Sequence, residues 1–136
     1  GNIYAKRDWG HAKDYVKMQW KILQHKTPDD FVISTDNTYS VKQFINLACK
    51  ILKIKIIWKG KGLNEKAYEL KNNKKLLLIK INKKYFRPSD IEYLRGDSSK
   101  AKKLLKFKPQ YKIKDLVKDM LYSDIEEQKK NLKKLY

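Results

Sequence analysis

Arg7 and Arg87 are the side chains of this sequence best suited to grip a diphosphate, because a planar guanidinium forks onto two oxygens where a lysine offers a point charge. The first sits in Lys6-Arg7-Asp8-Trp9-Gly10-His11, where Asp8 or a neighbouring carbonyl could hold the guanidinium in place. The second sits in Tyr85-Phe86-Arg87-Pro88-Ser89-Asp90. Pro88 restricts Arg87 to extended backbone, which aims a long side chain, and Asp90 could accept hydrogen bonds from ribose hydroxyls. Only Arg7, Arg87 and Arg95 are arginines among 33 basic residues, so their positions carry weight. Taken alone, either stretch also reads as an ordinary surface ion pair.

No nucleophile and base recur at a recognisable spacing, and none of the nine tyrosines has a lysine four residues on, so no catalytic residue is assigned. Gly60-Lys61-Gly62 resembles a phosphate loop only superficially. Glu65 occupies the place where a dinucleotide fingerprint needs its third glycine, and a strand-like stretch follows instead of a helix. His11 reads as a hydrogen-bonded structural histidine, His25 as exposed, and Cys49 as a small core residue. One cysteine and two separated histidines exclude a disulfide framework and a structural zinc site.

The elements that must position these groups are legible from periodicity. Ala12, Tyr15, Val16, Trp20 and Leu23 predict an amphipathic helix that ends before Thr27-Pro28. Phe31-Val32-Ile33 predicts a buried strand reaching Thr35. Ser40 and Gln43 form a capping box that opens a second helix along Val41, Phe44, Ile45, Ala48 and Ile51. A strand from Ile54 to Trp58 and a hairpin around Asn72-Asn73 follow. Asp97 caps a short helix carrying Ala101, Leu104 and Leu105, and Ile113 to Ile125 forms the last helix. Beyond Glu126 the apolar stripe thins into a basic tail, residues 126–136, expected to fray. The 136 residues, 41% of them hydrophobic, predict one core and a small mixed α/β domain over residues 1–125.

The formal net charge of +18 is the usual footprint of a nucleic-acid binder. Against that role, the excess is almost wholly lysine, spread along the chain and interleaved with apolar positions at helical spacing. No apolar run reaches a membrane span, and the Gly1 start is no signal peptide, so a cytoplasmic piece of a longer protein is expected.

The stretch Gly1-Asn2-Ile3-Tyr4-Ala5-Lys6-Arg7-Asp8-Trp9-Gly10-His11-Ala12-Lys13-Asp14-Tyr15-Val16 closely resembles a signature of the GDP-mannose 4,6-dehydratases, which are extended short-chain dehydrogenases. The resemblance persists through Pro28-Asp29-Asp30-Phe31-Val32-Ile33, Tyr39-Ser40-Val41, Gly60-Lys61-Gly62-Leu63-Asn64-Glu65, Tyr85-Phe86-Arg87-Pro88 and Gly96-Asp97. It implies the carboxy-terminal, GDP-sugar-binding portion of such an enzyme, without the Rossmann core, the catalytic threonine and glutamate, or the tyrosine–lysine pair. For the whole enzyme it implies NADP, held by the amino-terminal portion, that takes hydride from C4 of GDP-mannose and returns it to C6. Water is lost in between, and the product is GDP-4-dehydro-6-deoxymannose, a precursor of GDP-fucose and related deoxysugars.

The resemblance further implies that Arg7 and Arg87 form the diphosphate clamp, that Asp90 lies near the ribose and that Asn2 approaches the nucleotide. A chain of this extent is expected to bind GDP-mannose but to be inactive alone, and the complete enzyme to be a homo-oligomer. This sequence departs from the family in having Asp90 where glutamate is usual, Asp36 where glycine is common, and Lys106-Phe107 in place of a glycine and tryptophan. The alternatives are another extended short-chain sugar-nucleotide epimerase or dehydratase, or a basic nucleic-acid-binding module.

Overall fold

The computed structural model describes residues 1–133, which form a small mixed α/β structure with two three-stranded sheets. Chain length predicts one core, but the residues divide into two compact units. One comprises Gly1–Arg7 and Tyr39–Leu94, the other Asp8–Thr38 and the residues from Arg95 onward. Among the described residues no helix is long and apolar enough to cross a membrane.

The strands β1 (Lys6–Asp8), β2 (Thr38–Ser40) and β6 (Tyr93–Leu94) form a sheet of order β2-β1-β6, whose residues Lys6, Arg7, Tyr39, Ser40, Tyr93 and Leu94 belong to the first unit. β1 and β6 run parallel, with Lys6 opposite Tyr93 and Arg7 opposite Leu94. Helix α2 (Val41–Ile51) starts where the sequence predicts. Ser40 Oγ accepts from Gln43 N at 3.1 Å, and Gln43 Oε1 accepts from Ser40 N at 2.7 Å. Each bond satisfies an amide that the first helical turn leaves unpaired. Cys49 is buried on this helix, and burial pushes its thiol pKa up.

The second sheet is the antiparallel β3 (Ile56–Lys59), β4 (Lys66–Lys71) and β5 (Lys74–Lys80). Asn72 and Asn73 turn the expected hairpin with φ of 50° and 57°, a conformation that asparagine tolerates better than most residues. On one rung Trp58, Ala67 and Ile79 lie side by side, and Ala67 is fully buried. On the adjacent rung three lysines, Lys59, Lys66 and Lys80, stand abreast. β5 is an outer strand, and its Leu76, Leu77 and Leu78 are exposed.

The second unit holds α1 (Ala12–Leu23), α3 (Ser99–Leu105) and α4 (Ile113–Lys133); Met18, Ala101, Leu105 and Phe107 form its buried apolar cluster, and Val117 of α4 is fully buried. Phe31 and Ile33 pack against this core, but the expected strand there is absent. Residues 31–35 belong to no strand, and Val32 is exposed. An apolar run specifies burial, whereas a strand also needs a neighbour to receive its hydrogen bonds. α3 ends with Lys106 in the left-handed region, φ 53°, and Phe107 turns into the core. α4 continues through Glu126 to Lys133, so the described part of the expected tail is helical. Residues 134–136 of that tail lie outside the described residues.

Two carboxylates brace this unit. Asp14, buried on α1, accepts from the amides of Gln110 and Tyr111 at 3.0 and 3.1 Å. Asp36 stands at φ 60°, in the left-handed region that aspartate tolerates better than most residues. Its Oδ1 accepts from Ser34 Oγ, Ser98 N and Ser98 Oγ, and its Oδ2 pairs with Lys102. Burial pushes this carboxyl upward, but the bonds from Lys102, Ser98 and Ser34 outweigh it and hold the pKa well below the usual carboxylate range.

Candidate functional site

The site is built from the ends of short elements in the first unit. Arg7, on β1, folds its guanidinium back so that Nη1 donates to its neighbour's carbonyl, Lys6 O, at 2.8 Å, while Nη2 donates to Asp90 Oδ1 at 2.7 Å. Of the two anchors the sequence offers, the carbonyl is used and Asp8 is not. Asp8 Oδ1 instead accepts from Thr35 N and Thr35 Oγ1, at 2.9 and 2.7 Å.

Asp90 closes a turn that starts at Arg87, its amide donating to Arg87 O at 3.1 Å. The Pro88 that restricts Arg87 occupies the second position of this turn, where a fixed φ suits the chain reversal. The turn delivers Asp90 to Arg7 and leaves the Arg87 side chain exposed, with no side-chain partner among the described residues. Arg7 and Asp90 are therefore in contact, and Arg87 is tied to them through the backbone. Because one Asp90 oxygen is taken by Arg7, the other is available to accept a hydroxyl hydrogen.

Asn2 lies apart from that group. Its Oδ1 accepts from Tyr4 N at 2.9 Å, a local turn that leaves the amide hydrogens of Asn2 to donate elsewhere. Asn2 lines a cleft of about 390 Å³ with Tyr4, Lys6, Glu92 and Tyr93. Asn2 and Tyr4 come from the bent segment before β1 and Lys6 from its first residue, and the parallel register sets Tyr93 opposite Lys6. Neither the Lys6 ammonium nor the Glu92 carboxylate has a side-chain partner among the described residues. The cleft thus presents donors, an acceptor and two half-exposed phenol rings. A second cleft of about 280 Å³ shares Asn2, Tyr4 and Glu92, and adds Gly62, Leu63 and Phe86.

Tyr4, Lys6, Glu92 and Tyr93 carry no motif that marks them in the sequence. No local pattern marks these four, because the parallel pairing that completes the cleft joins residues distant in sequence. His11 is the structural residue expected of it. It caps α1 by accepting from Lys13 N at 3.1 Å through Nδ1, and its Nε2 faces Asp119 Oδ2 at 3.1 Å. Gly60-Lys61-Gly62 leads into a single 3-10 turn, Gly62–Asn64, and then into β4, so the glycines do not open a helix onto a phosphate.

The family model for GDP-mannose 4,6 dehydratase matches residues 1–120. The chain is 45% identical over 131 residues to GDP-mannose 4,6 dehydratase of Drosophila melanogaster, covering 96% of this chain and 33% of that protein. It is 40% identical over 126 residues to the Homo sapiens protein of the same name, covering 93% and 33%. The chain therefore spans about a third of the length of the curated relatives it matches. In fold it is similar to the structure of RMD from Pseudomonas aeruginosa complexed with NADPH. The TM-score is 0.62 at 15% identity, covering 86% of this chain and 32% of that one.

Proposed function

Because this chain belongs to the GDP-mannose 4,6-dehydratase family, over residues 1–120, we propose that it is the portion of such an enzyme that binds the GDP end of GDP-mannose. The observation that carries this reading is the Arg7–Asp90 contact set at one end of the Arg87 turn. Arg7 and Arg87 share the diphosphate, each through charge-assisted bonds. The free oxygen of Asp90 takes a ribose hydroxyl, and its shorter side chain is compensated by the turn that carries it toward Arg7.

The guanine base lies in the cleft beside Asn2. There Glu92 accepts from the base's N–H groups, the Lys6 ammonium and the Asn2 amide donate to O6 and N7, and Tyr4 and Tyr93 cover its faces. Adenine offers a ring nitrogen acceptor where guanine offers N1–H, so the same carboxylate disfavours it.

The residues of this chain do not fit a dinucleotide: its glycine pair runs into a 3-10 turn and a strand, without the strand-turn-helix that cradles a pyrophosphate. NADP, which supplies hydride acceptance and return when bound, is assigned to the remainder of the enzyme. The contribution of this chain is to bind and orient the nucleotide, so that the sugar projects away from it toward the reacting groups.

Calorimetric titration of the protein tests the reading. Saturable GDP binding stronger than ADP binding is expected, with no turnover of GDP-mannose by the 136-residue chain when NADP is added. Equal affinity for GDP and ADP, with steeply salt-dependent association to RNA, would replace this reading with that of a basic nucleic-acid module.

A further inference from the structure

Glu65 is almost fully buried, 3% exposed, in a strongly basic chain, and the nucleotide-binding reading gives it no role. It ends the Gly60-Lys61-Gly62-Leu63-Asn64-Glu65 stretch, whose glycines do not cradle phosphate. Gly60 has φ +88°, and a Cβ there would stand 2.6 Å from Asn64 O, so the close turn requires glycine. The turn carries Glu65 inward, its amide donating to Gly62 O at 3.2 Å.

Inside, Oε2 of Glu65 accepts from Tyr4 Oη at 2.5 Å, and Oε1 accepts from Lys42 Nζ at 2.5 Å. The Lys42 ammonium also lies over the rings of Tyr4 and Trp58, 5.2 and 4.8 Å from their centroids. Burial pushes the Glu65 carboxyl upward, but the Lys42 and Tyr4 bonds prevail and keep it ionised. Lys42 N further donates to Ile3 O at 2.8 Å. Segment 2–4 is thus held by its own Asn2 turn, by the α2 backbone and by Glu65.

Two facts separate this arrangement from ordinary packing. A buried ion pair is a poor source of stability, since apolar side chains of the same volume commonly do as well, so its use here calls for another advantage. The hydroxyl that Glu65 holds belongs to Tyr4, whose ring is half exposed and lines both clefts. A phenol pinned at its oxygen presents a fixed face to whatever enters.

We propose that Glu65 is a positioning residue for nucleotide binding: through Tyr4 and Lys42 it fixes the wall formed by residues 2–6, against which the base rests. This rests on the reading that the cleft takes the base of GDP. The glycine-pair motif then has a job, which is to deliver this carboxylate.

The test measures affinity for GDP and for inorganic pyrophosphate in the wild-type protein, Glu65→Gln, Tyr4→Phe and the double variant. Each single variant is expected to weaken GDP binding at least fivefold while leaving pyrophosphate affinity within twofold, because the arginines are untouched. The double variant is expected to be no weaker than the worse single one. Tyr4→Phe keeps the ring and removes only the pinned oxygen, so it decides the matter even if Glu65→Gln fails to fold. A folded Tyr4→Phe with wild-type GDP affinity, or parallel losses for GDP and pyrophosphate, would overturn the proposal and leave Glu65 a purely structural residue. Failure of the wild-type protein to bind GDP would instead overturn the base-cleft reading itself, and this inference with it.

Discussion

Arg7 Nη2 lies 2.7 Å from Asp90 Oδ1, so a guanidinium on the first strand is oriented by a carboxylate 83 positions further along the chain. Asp90 in turn follows Arg87 by one tight turn, and the orientation of one arginine is thereby linked to the placing of the other. Both partners are partly exposed, with side chains 28% and 36% accessible, so the pair itself adds less than about 1 kcal/mol to stability. Its value is geometric.

Arg7→Ala and Arg87→Ala are each expected to weaken GDP binding by about 1.5 to 3 kcal/mol, the worth of a charge-assisted contact. Arg7→Lys is expected to recover little of this, because a point charge cannot serve Lys6 O, Asp90 and a phosphate oxygen together. Calorimetry with GDP reads all three, and unchanged affinity in both alanine variants would remove these residues from the site.

Asp36 governs a pH effect in the second unit. Its folded pKa lies below the unfolded value of about 3.9, so its stabilisation is fully present above that pH and is lost as the pH falls toward the folded value. Lowering the pH from 5 to 3 is expected to cost the wild-type protein about 1 kcal/mol more than Asp36→Asn, which has no carboxylate to protonate. Urea midpoints at the two pH values give the comparison, and identical acid losses would show that this carboxylate is not held as described.

Gly60 and Gly62 separate conformational strain from crowding. Both have positive φ, but a Cβ at Gly62 meets nothing within 4 Å, whereas one at Gly60 meets Asn64 backbone. Gly62→Ala is expected to cost about 1 kcal/mol and Gly60→Ala about 2 kcal/mol or more. Denaturant midpoints measure both, and equal losses would contradict the tight turn that leads to Glu65.

What could be read in advance divides by sequence distance. Helices α1 and α2, the capping box at Ser40 and Gln43 and the Asn72-Asn73 hairpin are set by neighbours within a few residues, and all appear. The Phe31–Ile33 run half-buries Phe31 and Ile33 but has no ladder, and β1, β2 and β6 are too short to show a period. In the proposed site, residue type alone singles out Arg7, Arg87 and Asp90. That Asp90 serves Arg7 is not legible there, since a contact across 83 positions leaves no local trace. In the sequence Glu65 stands out only as the residue where a third glycine is missing, because its burial depends on Tyr4 and Lys42, 61 and 23 positions earlier.

Lys59, Lys66 and Lys80 stand abreast at one end of the second sheet, and Lys74 and Lys75 begin β5, whose exposed leucines would otherwise be an open template for another strand. A second copy sliding along that edge brings ammonium against ammonium before any leucine is covered. Lysines at both ends of β5 thus set like charge against like charge in edge-to-edge pairing of two copies, which disfavours growth of the sheet in that direction.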